Sequence, residues 1–197
     1  VDQVLALLPF EPPYMQAAGI DCDFVGHPVV TDPKATEDEA QAFRATHGIT
    51  GPMALILPGS RRSEVARLMP IFGQVAEQLA QARPDLRLVL PMAAPVAQAV
   101  REGTKAWPQP PILIDPASDP GGAAKCAAFR AADVALAASG TVSLELAASG
   151  TPMVIAYDMS WLSRQIIGRM LLVDTVTLVN LVSETRAVPE FIGTACK

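Results

Sequence analysis

The chain has 197 residues, 50% of them hydrophobic, and a formal net charge of −5. These totals indicate a globular protein with one substantial core, and the acidic balance argues against nucleic-acid binding. Its three cysteines, Cys22, Cys126 and Cys196, lie far apart without CxxC spacing, so neither a disulfide framework nor a zinc site is predicted. No apolar run reaches the roughly 18 residues that a transmembrane helix needs.

The beginning of the chain predicts a strand, a helix and a second strand. Residues 4–8 are apolar and suit the first strand, and residues 22–25 suit the second. Between them, the Pro-Pro pair at residues 12–13 favours the first turn of a helix. We expect a domain boundary near Gly26, because a Gly-His-Pro turn follows this unit.

Helices and strands are predicted to alternate through the rest of the chain. Thr36 suits a helix N-cap, and Glu39 stands at the capping-box position. Predicted helices cover residues 36–48, 63–82, 95–102, 123–131 and 160–172, and predicted strands cover residues 53–57, 87–91, 112–115, 133–138 and 151–157. This alternation predicts an α/β fold with a doubly wound parallel sheet. After these elements we expect an extended segment through Asn180 and a helix start near Ser183. The chain stops soon afterwards, which is typical of a fragment of a longer protein.

The stretch from the strand at residues 133–138 to the helix that follows it predicts an anion site. Ser139, Gly140 and Thr141 form a turn of small residues before a helix start, and such a turn presents free backbone N–H groups and the positive end of a helix dipole. Glu145 follows Thr141 by four residues, on the same side of the helix. It is placed to accept hydrogen bonds from hydroxyls of the same ligand.

A second loop with a similar character follows the strand at residues 53–57. Pro58 and Gly59 turn the chain, Ser60 suits a helix cap, and Arg61 offers a planar set of donors matched to phosphate oxygens. The alternative for both loops is ordinary turn chemistry with exposed charges. The carboxyl ends of parallel strands meet at one edge of such a sheet, so the two loops together favour a ligand site.

Several short motifs resemble those of the lipid-A-disaccharide synthase family, whose members are bacterial glycosyltransferases of the GT-B fold. In chain order they are LPFE at residues 8–11, FVGHP at 24–28 with Asp32 after it, LPGSR at 57–61 with Glu64, ASGT at 138–141 followed by Leu144-Glu145, PMVIAY at 152–157 and VNL at 179–181. The resemblance implies one Rossmann-like half of a GT-B enzyme. It also implies hexosyl transfer from UDP-2,3-diacylglucosamine to 2,3-diacylglucosamine 1-phosphate, giving the β-1,6 lipid A disaccharide and UDP without a cofactor or a metal ion.

The same resemblance implies how the chain is divided. Residues 1–25 would be the tail of the amino-terminal domain, and residues 26–197 would be the carboxy-terminal UDP-sugar-binding domain, truncated at its end. The acceptor site and the catalytic base would lie in the missing part of the amino-terminal domain, so no catalytic residue is assigned and the chain alone is expected to be inactive. The full protein would be cytoplasmic, and a homodimer or peripheral contact with the inner membrane would fit the family.

The resemblance also implies roles for eight residues in binding the donor. Gly59, Ser60 and Arg61 would bind the UDP diphosphate, Ser139, Gly140 and Thr141 would approach the same group, Glu145 would hold the ribose hydroxyls, and Asn180 would help to place the donor or leaving group. For Asn180 a capped turn is the alternative, since Val179 stands where the family has proline. His27 matches the family's Gly-His pair but is assigned no catalysis.

Two alternative functions and the part played by one apolar patch stay open. The fold and a comparable UDP site would also suit a UDP-sugar 2-epimerase, and a non-catalytic nucleotide-binding module is a third hypothesis. A patch in the helix at residues 160–172 would suit either contact with a membrane surface or packing on the sheet. Its residues are Trp161, Leu162, Ile166, Arg169 and Met170.

Overall fold

The computed structural model describes residues 2–158 and 175–196. A small unit comes first. Its strands β1 (Gln3–Ala6) and β2 (Asp21–Phe24) pair in parallel, and helix α1 (Glu11–Ala17) connects them. The Pro-Pro pair lies in the first turn of α1, as the sequence predicts.

A parallel sheet of six strands forms the rest of the described fold. The strands are β3 (Met53–Leu57), β4 (Arg87–Pro91), β5 (Ile112–Ile114), β6 (Val134–Ala138), β7 (Met153–Tyr157) and β8 (Glu190–Ile192), in the spatial order β5-β4-β3-β6-β7-β8. Every neighbouring pair is parallel. The predicted doubly wound α/β fold is therefore confirmed.

Helices cover both faces of this sheet. They are α2 (Glu37–Thr46), α3 (Arg62–Ala82), α4 (Ala97–Thr104), α5 (Ala123–Ala131), α6 (Val142–Ala148) and α7 (Leu178–Ser183). The bounds of α2 to α5 and of β3 to β7 agree with the predicted ranges to within two residues. The predicted capping box is also present, since the Thr36 hydroxyl accepts the Glu39 N–H and the Glu39 carboxylate accepts the Thr36 N–H.

Alternation along β3 divides the core into two layers. Met53, Leu55 and Leu57 face a cluster that contains Phe43 of α2, Phe129 of α5 and Leu146 of α6. Ala54 and Ile56 face the opposite cluster, which contains Phe72 of α3 and Val100 of α4. Because β3 is fully buried on both faces, it needs the continuous apolar sequence MALIL.

The order of the strands creates a switch point between β3 and β6. The chain runs outward from β3 to β4 and β5, then returns to place β6 on the other side of β3. Leu57 at the end of β3 pairs with Ala137 near the end of β6. The loops that follow the two strands therefore leave the sheet side by side, at the position where open α/β sheets bind ligands.

Two predictions near the end of the chain are wrong. The segment through Asn180 is helical rather than extended, since α7 spans Leu178–Ser183. No helix starts near Ser183, where α7 instead ends, and the chain continues into β8 and a 3-10 turn at Gly193–Ala195. The β-branched residues around Asn180 favour an extended backbone, and tertiary contacts override that local preference. The predicted helix at residues 160–172, with its apolar patch, lies outside the described residues.

Arg44 joins helix α2 to the start of the sheet. Its guanidinium donates to the carbonyl of Ala131 (2.5 Å) and to that of Gly51 (2.5 Å), and it lies 3.5 Å from the Asp133 carboxylate. Asp133 also accepts the N–H of Met53 at 2.8 Å, where β3 begins. The Arg44 side chain is 24% exposed, so these bonds are partly shielded from water.

We expect Arg44→Met to lower the free energy of unfolding by about 1.5 to 3 kcal/mol, because it removes charge-assisted hydrogen bonds to two carbonyls while keeping the apolar stem. Urea denaturation followed by circular dichroism measures the change. Arg83→Met is the matched control, since Arg83 forms an exposed ion pair with Asp85 and should matter little. Equal effects of the two substitutions would show that Arg44 is only a surface charge.

Candidate functional site

A cleft of about 450 Å³ opens at the switch point. It is lined by Leu57, Pro58, Gly59, Ser60, Arg61, Glu64, Pro91, Met92, Ala93, Lys125, Phe129, Ala138, Ser139, Gly140, Thr141, Val142, Glu145, Val176 and Leu178. Seven of the eight residues predicted to bind a ligand are in this set, and Asn180 is not. The sheet therefore brings together two loops that are almost eighty residues apart in the sequence.

The loop after β3 is organised by the carboxylate of Glu64. This carboxylate accepts the backbone N–H groups of Ser60 (3.1 Å) and Arg61 (3.2 Å). Gly59 has a φ of +110°, and a Cβ at this position would lie 2.6 Å from Glu64 Oε2. Only glycine therefore fits beside the carboxylate without a shift. The predicted cap at Ser60 is wrong, because Arg61 is the N-cap of α3 and the Ser60 side chain does not cap it.

Arg61 projects from this loop at the rim of the cleft. Its guanidinium donates to Glu64 Oε1 at 2.7 Å, while its side chain is 77% exposed. The hydrogen bond to Glu64, with the charge of that carboxylate, raises the pKa of Arg61, so the group stays a cation. A guanidinium has five N–H donors, so the Glu64 contact fixes its position and leaves other donors for an anionic ligand.

The loop after β6 is held on two sides. The Ser139 hydroxyl donates to the carbonyl of Val176 at 3.1 Å, which attaches the loop to a distant segment of the chain. The buried Ser143 hydroxyl donates to the Gly140 carbonyl at 2.8 Å and ties the loop to the first turn of α6. These bonds fix the backbone of the turn, with Thr141 as the exposed N-cap of the helix.

Glu145 lies on the wall of the cleft and forms an ion pair with Lys125 of α5. The two side chains are 34% and 40% exposed, respectively. The Lys125 ammonium also lies 5.2 Å from the centre of the Phe129 ring. Sequence reasoning missed Lys125, because α5 precedes β6 and a lysine on a surface helix carries no local signal of a partner twenty residues away.

Asn180 lies behind the wall of the cleft with its amide group fully buried. The residue is 1% exposed, its Oδ1 accepts the N–H of Val188 at 3.0 Å, and its Nδ2 donates to the carbonyl of Val188 at 2.9 Å. Nδ2 also contacts the Thr175 hydroxyl at 3.3 Å. Asn180 thus joins α7 to the segment before β8, and it supports the cleft without lining it.

Glu190, at the start of β8, holds the segment that carries Val176. Its carboxylate accepts the N–H groups of Val176 and Thr177, both at 3.0 Å, and the Thr177 hydroxyl at 2.8 Å. Burial raises the pKa of Glu190, but the hydrogen bonds from threonine hydroxyls and backbone amides together lower it by more. Its pKa therefore lies below the ordinary value. Sequence reasoning missed Glu190 because it did not predict β8.

His27 lies away from the cleft lining, and its Nδ1 accepts the Val29 N–H at 3.1 Å. Among residues 2–158 and 175–196, no group of three His, Cys, Asp or Glu side chains is arranged to hold a metal ion. In the same residues, no helix has both the length and the apolar character needed to cross a membrane.

The comparison with protein families gives one match over the whole chain. The model described as lipid-A-disaccharide synthetase matches residues 1–197. The lipid-A-disaccharide synthase of Ruegeria pomeroyi is 58% identical over 200 residues, covering 100% of this chain and 50% of that protein. The enzyme of the same name from Rhodospirillum centenum is 46% identical, covering 100% of this chain and 48% of that protein. The chain thus spans about half the length of the curated relatives it matches.

Solved structures support the fold at low sequence identity. The UDP-GlcNAc 2-epimerase of Neisseria meningitidis, solved with UDP-GlcNAc bound, matches with a TM-score of 0.60 at 16% identity over 91% of this chain and 51% of that chain. The S. aureus MnaA-UDP structure matches with a TM-score of 0.59 at 15% identity over 93% of this chain and 51% of that chain. The described fold is the Rossmann-like type that forms one half of a GT-B enzyme. At these identities the likeness concerns the fold alone, so the epimerase alternative gains no support from it.

We expect Asn180→Ala to lower the free energy of unfolding by about 2 kcal/mol, because the partly buried N–H and carbonyl of Val188 would both lose their partner. Chemical denaturation measures the loss. Gln78→Ala is the control, since Gln78 is an exposed amide on α3 and its removal should change stability by no more than about 0.5 kcal/mol. If Asn180→Ala were as stable as the original chain, the fold would not need the Asn180 amide, and a direct role in ligand binding would be favoured.

Proposed function

The chain belongs to the lipid-A-disaccharide synthetase family, and we propose that it supplies the UDP-sugar-binding half of a lipid-A-disaccharide synthase. The full-length protein would transfer a hexosyl group from UDP-2,3-diacylglucosamine to 2,3-diacylglucosamine 1-phosphate, giving the β-1,6 lipid A disaccharide and UDP. The observation that carries the proposal is the cleft at the switch point, whose lining includes Arg61, the turn at residues 139–141 and Glu145.

The loop after β3 is proposed to bind the diphosphate through Arg61 and the backbone of Gly59 and Ser60. A carboxylate already accepts the Ser60 and Arg61 amides there, which supports an anion-binding role for this loop. The guanidinium adds planar donors that match phosphate oxygens. In a transferase, such donors would stabilise the negative charge that develops on the departing UDP.

The loop after β6 is proposed to complete the nucleotide site. Ser139, Gly140 and Thr141 would approach the diphosphate, and Glu145 would accept hydrogen bonds from the ribose hydroxyls. Both parts line the same cleft. Asn180 would act indirectly, because it fixes α7, whose first residue Leu178 lines the cleft.

Residues 1–25 are proposed to be the tail of an amino-terminal domain that brings the lipid acceptor and the catalytic base. The two-stranded unit leaves Leu5, Tyr14, Phe24 and Val25 exposed, and two strands alone form a marginally stable sheet. Both observations favour further strands from the same protein beside β1 and β2. Residues 26–197 would be the donor domain, and this chain alone would be inactive. The family resemblance further supports a full-length protein that acts in the cytoplasm at the inner-membrane surface and forms a homodimer.

Calorimetry of UDP binding to the original 197-residue chain and to Arg61→Ala tests the proposed function. We expect Arg61→Ala to weaken UDP about tenfold or more and to leave uridine nearly unchanged, because the lost contacts are charge-assisted bonds to phosphate. Arg62→Ala is the matched control, since Arg62 is an exposed neighbour that does not line the cleft. A chain that fails to bind UDP refutes the donor-binding role, whereas equal losses for UDP and uridine refute only the phosphate contact of Arg61.

For Glu145→Gln we expect UDP to bind more weakly by about 1.5 to 3 kcal/mol, because the ribose hydroxyls lose a charged acceptor while the side chain keeps its size. The 2′,3′-dideoxy analogue of UDP is the sharper probe, since it has no hydroxyls to donate. It should bind the original chain poorly and lose little more on substitution. A full further loss with the analogue would show that Glu145 does not hold the ribose.

A further inference from the structure

Two closed ion pairs account for the charge on the walls of the cleft. Among the residues that the structure describes, four charged side chains line it: Arg61, Glu64, Lys125 and Glu145. Arg61 pairs with Glu64, and Lys125 pairs with Glu145. The formal charges of these four groups cancel, although the proposed ligand carries a diphosphate. Arg61 alone, with Glu64 beside it, leaves much of the negative charge of a diphosphate without a counterion.

We propose that Lys125 is a second cation of the diphosphate site, donating one N–H to Glu145 and another to a phosphate oxygen of UDP. This inference rests on the proposed function and adds a residue to its ligand-binding set. An ammonium group has three N–H donors, so one can remain on the carboxylate while another meets the phosphate. The ribose that Glu145 would hold is joined directly to the 5′-phosphate, which places the partner of Glu145 close to that phosphate.

The position of Lys125 is fixed before any ligand arrives. The Asp119 carboxylate accepts the N–H of Ala124 (3.0 Å) and that of Lys125 (2.9 Å), which anchors the first turn of α5. One turn later the ring of Phe129, itself buried, lies 5.2 Å from the ammonium. A cation over an aromatic face is stabilised by the ring quadrupole. Because the side chain is held at its base and its tip, binding would cost little conformational entropy.

The exposure of Lys125 allows it to do more than hold Glu145 in place. Its side chain is 40% exposed and lines the cleft, so a ligand there can reach it. A second explanation is that Lys125 does no more than orient Glu145 for the ribose. The two explanations differ in which ligands lose affinity when the ammonium is removed, since uridine has the ribose but no phosphate.

The experiment is calorimetry of the 197-residue chain and Lys125→Met with UDP, 2′,3′-dideoxy-UDP and uridine. Methionine keeps an apolar stem over Phe129 and removes the charge. We expect UDP and its dideoxy analogue each to weaken about tenfold or more, and uridine less than about threefold, because the lost contact is to phosphate. Lys125→Arg should keep UDP binding to within about threefold, since the cation remains.

Lys105→Met is the matched control, because Lys105 also pairs with a glutamate, Glu102, but lies outside the cleft. It removes the same charge from the chain and should leave UDP affinity unchanged. Lys125→Gln provides a second neutral variant with the same expected pattern if Lys125→Met does not fold, and thermal unfolding reports which variants are folded.

Three results would overturn the inference. Equal losses for uridine and UDP, without a loss for the dideoxy analogue, would make Lys125 a positioning residue for Glu145. Unchanged UDP affinity in folded Lys125→Met would remove it from the site. Both of these results would leave the proposed function standing. Failure of the original chain to bind UDP would instead refute the proposed function, and this inference with it.

Discussion

The parallel pairing of β3 with β6 is the constraint on which the site depends. Leu57 lies opposite Ala137, so the two strands end at the same edge and their loops leave the sheet as neighbours. Helix α3 then packs on one face of the sheet and α6 on the other, which opens a crevice between them. A shift of this register would move one loop along the edge and separate Arg61 from the turn that contains Gly140.

Carboxylates inside the cleft already bind the groups that the proposed ligand would contact. Glu64 accepts the backbone N–H groups of Ser60 and Arg61, and Glu145 accepts an N–H of the Lys125 ammonium. Such pairs hold the cations in place at little cost, because both partners are partly exposed and partly hydrated. A diphosphate has more charge and more acceptor oxygens than either carboxylate, so in the proposed complex it would share donors that these carboxylates already hold in position.

Sequence patterns predict most of this fold because they are local. The buried runs of β3 and β4, the capping box at Thr36 and the glycine in the loop after β3 each depend on near neighbours, and each is confirmed. Lys125 and Glu190 could not be found this way, since their partners are distant in the sequence and their own surroundings resemble any polar surface. For α7 the local pattern is misleading, because burial of the Asn180 amide decides the conformation.

The loop after β6 is supported by a chain of hydrogen bonds that begins at Glu190. Glu190 holds the amides of Val176 and Thr177, and the carbonyl of Val176 accepts the hydroxyl of Ser139. Since the pKa of Glu190 is below its ordinary value in the folded chain, the ionised carboxylate contributes stability above the unfolded pKa of about 4.3, and that contribution is lost as the pH falls through the folded pKa. Protonation would weaken the bonds to the two amides first and the support of Ser139 next. The loop after β6 is therefore supported by residues at β8, the last strand in chain order, so the proposed nucleotide site depends on a sheet that extends to β8.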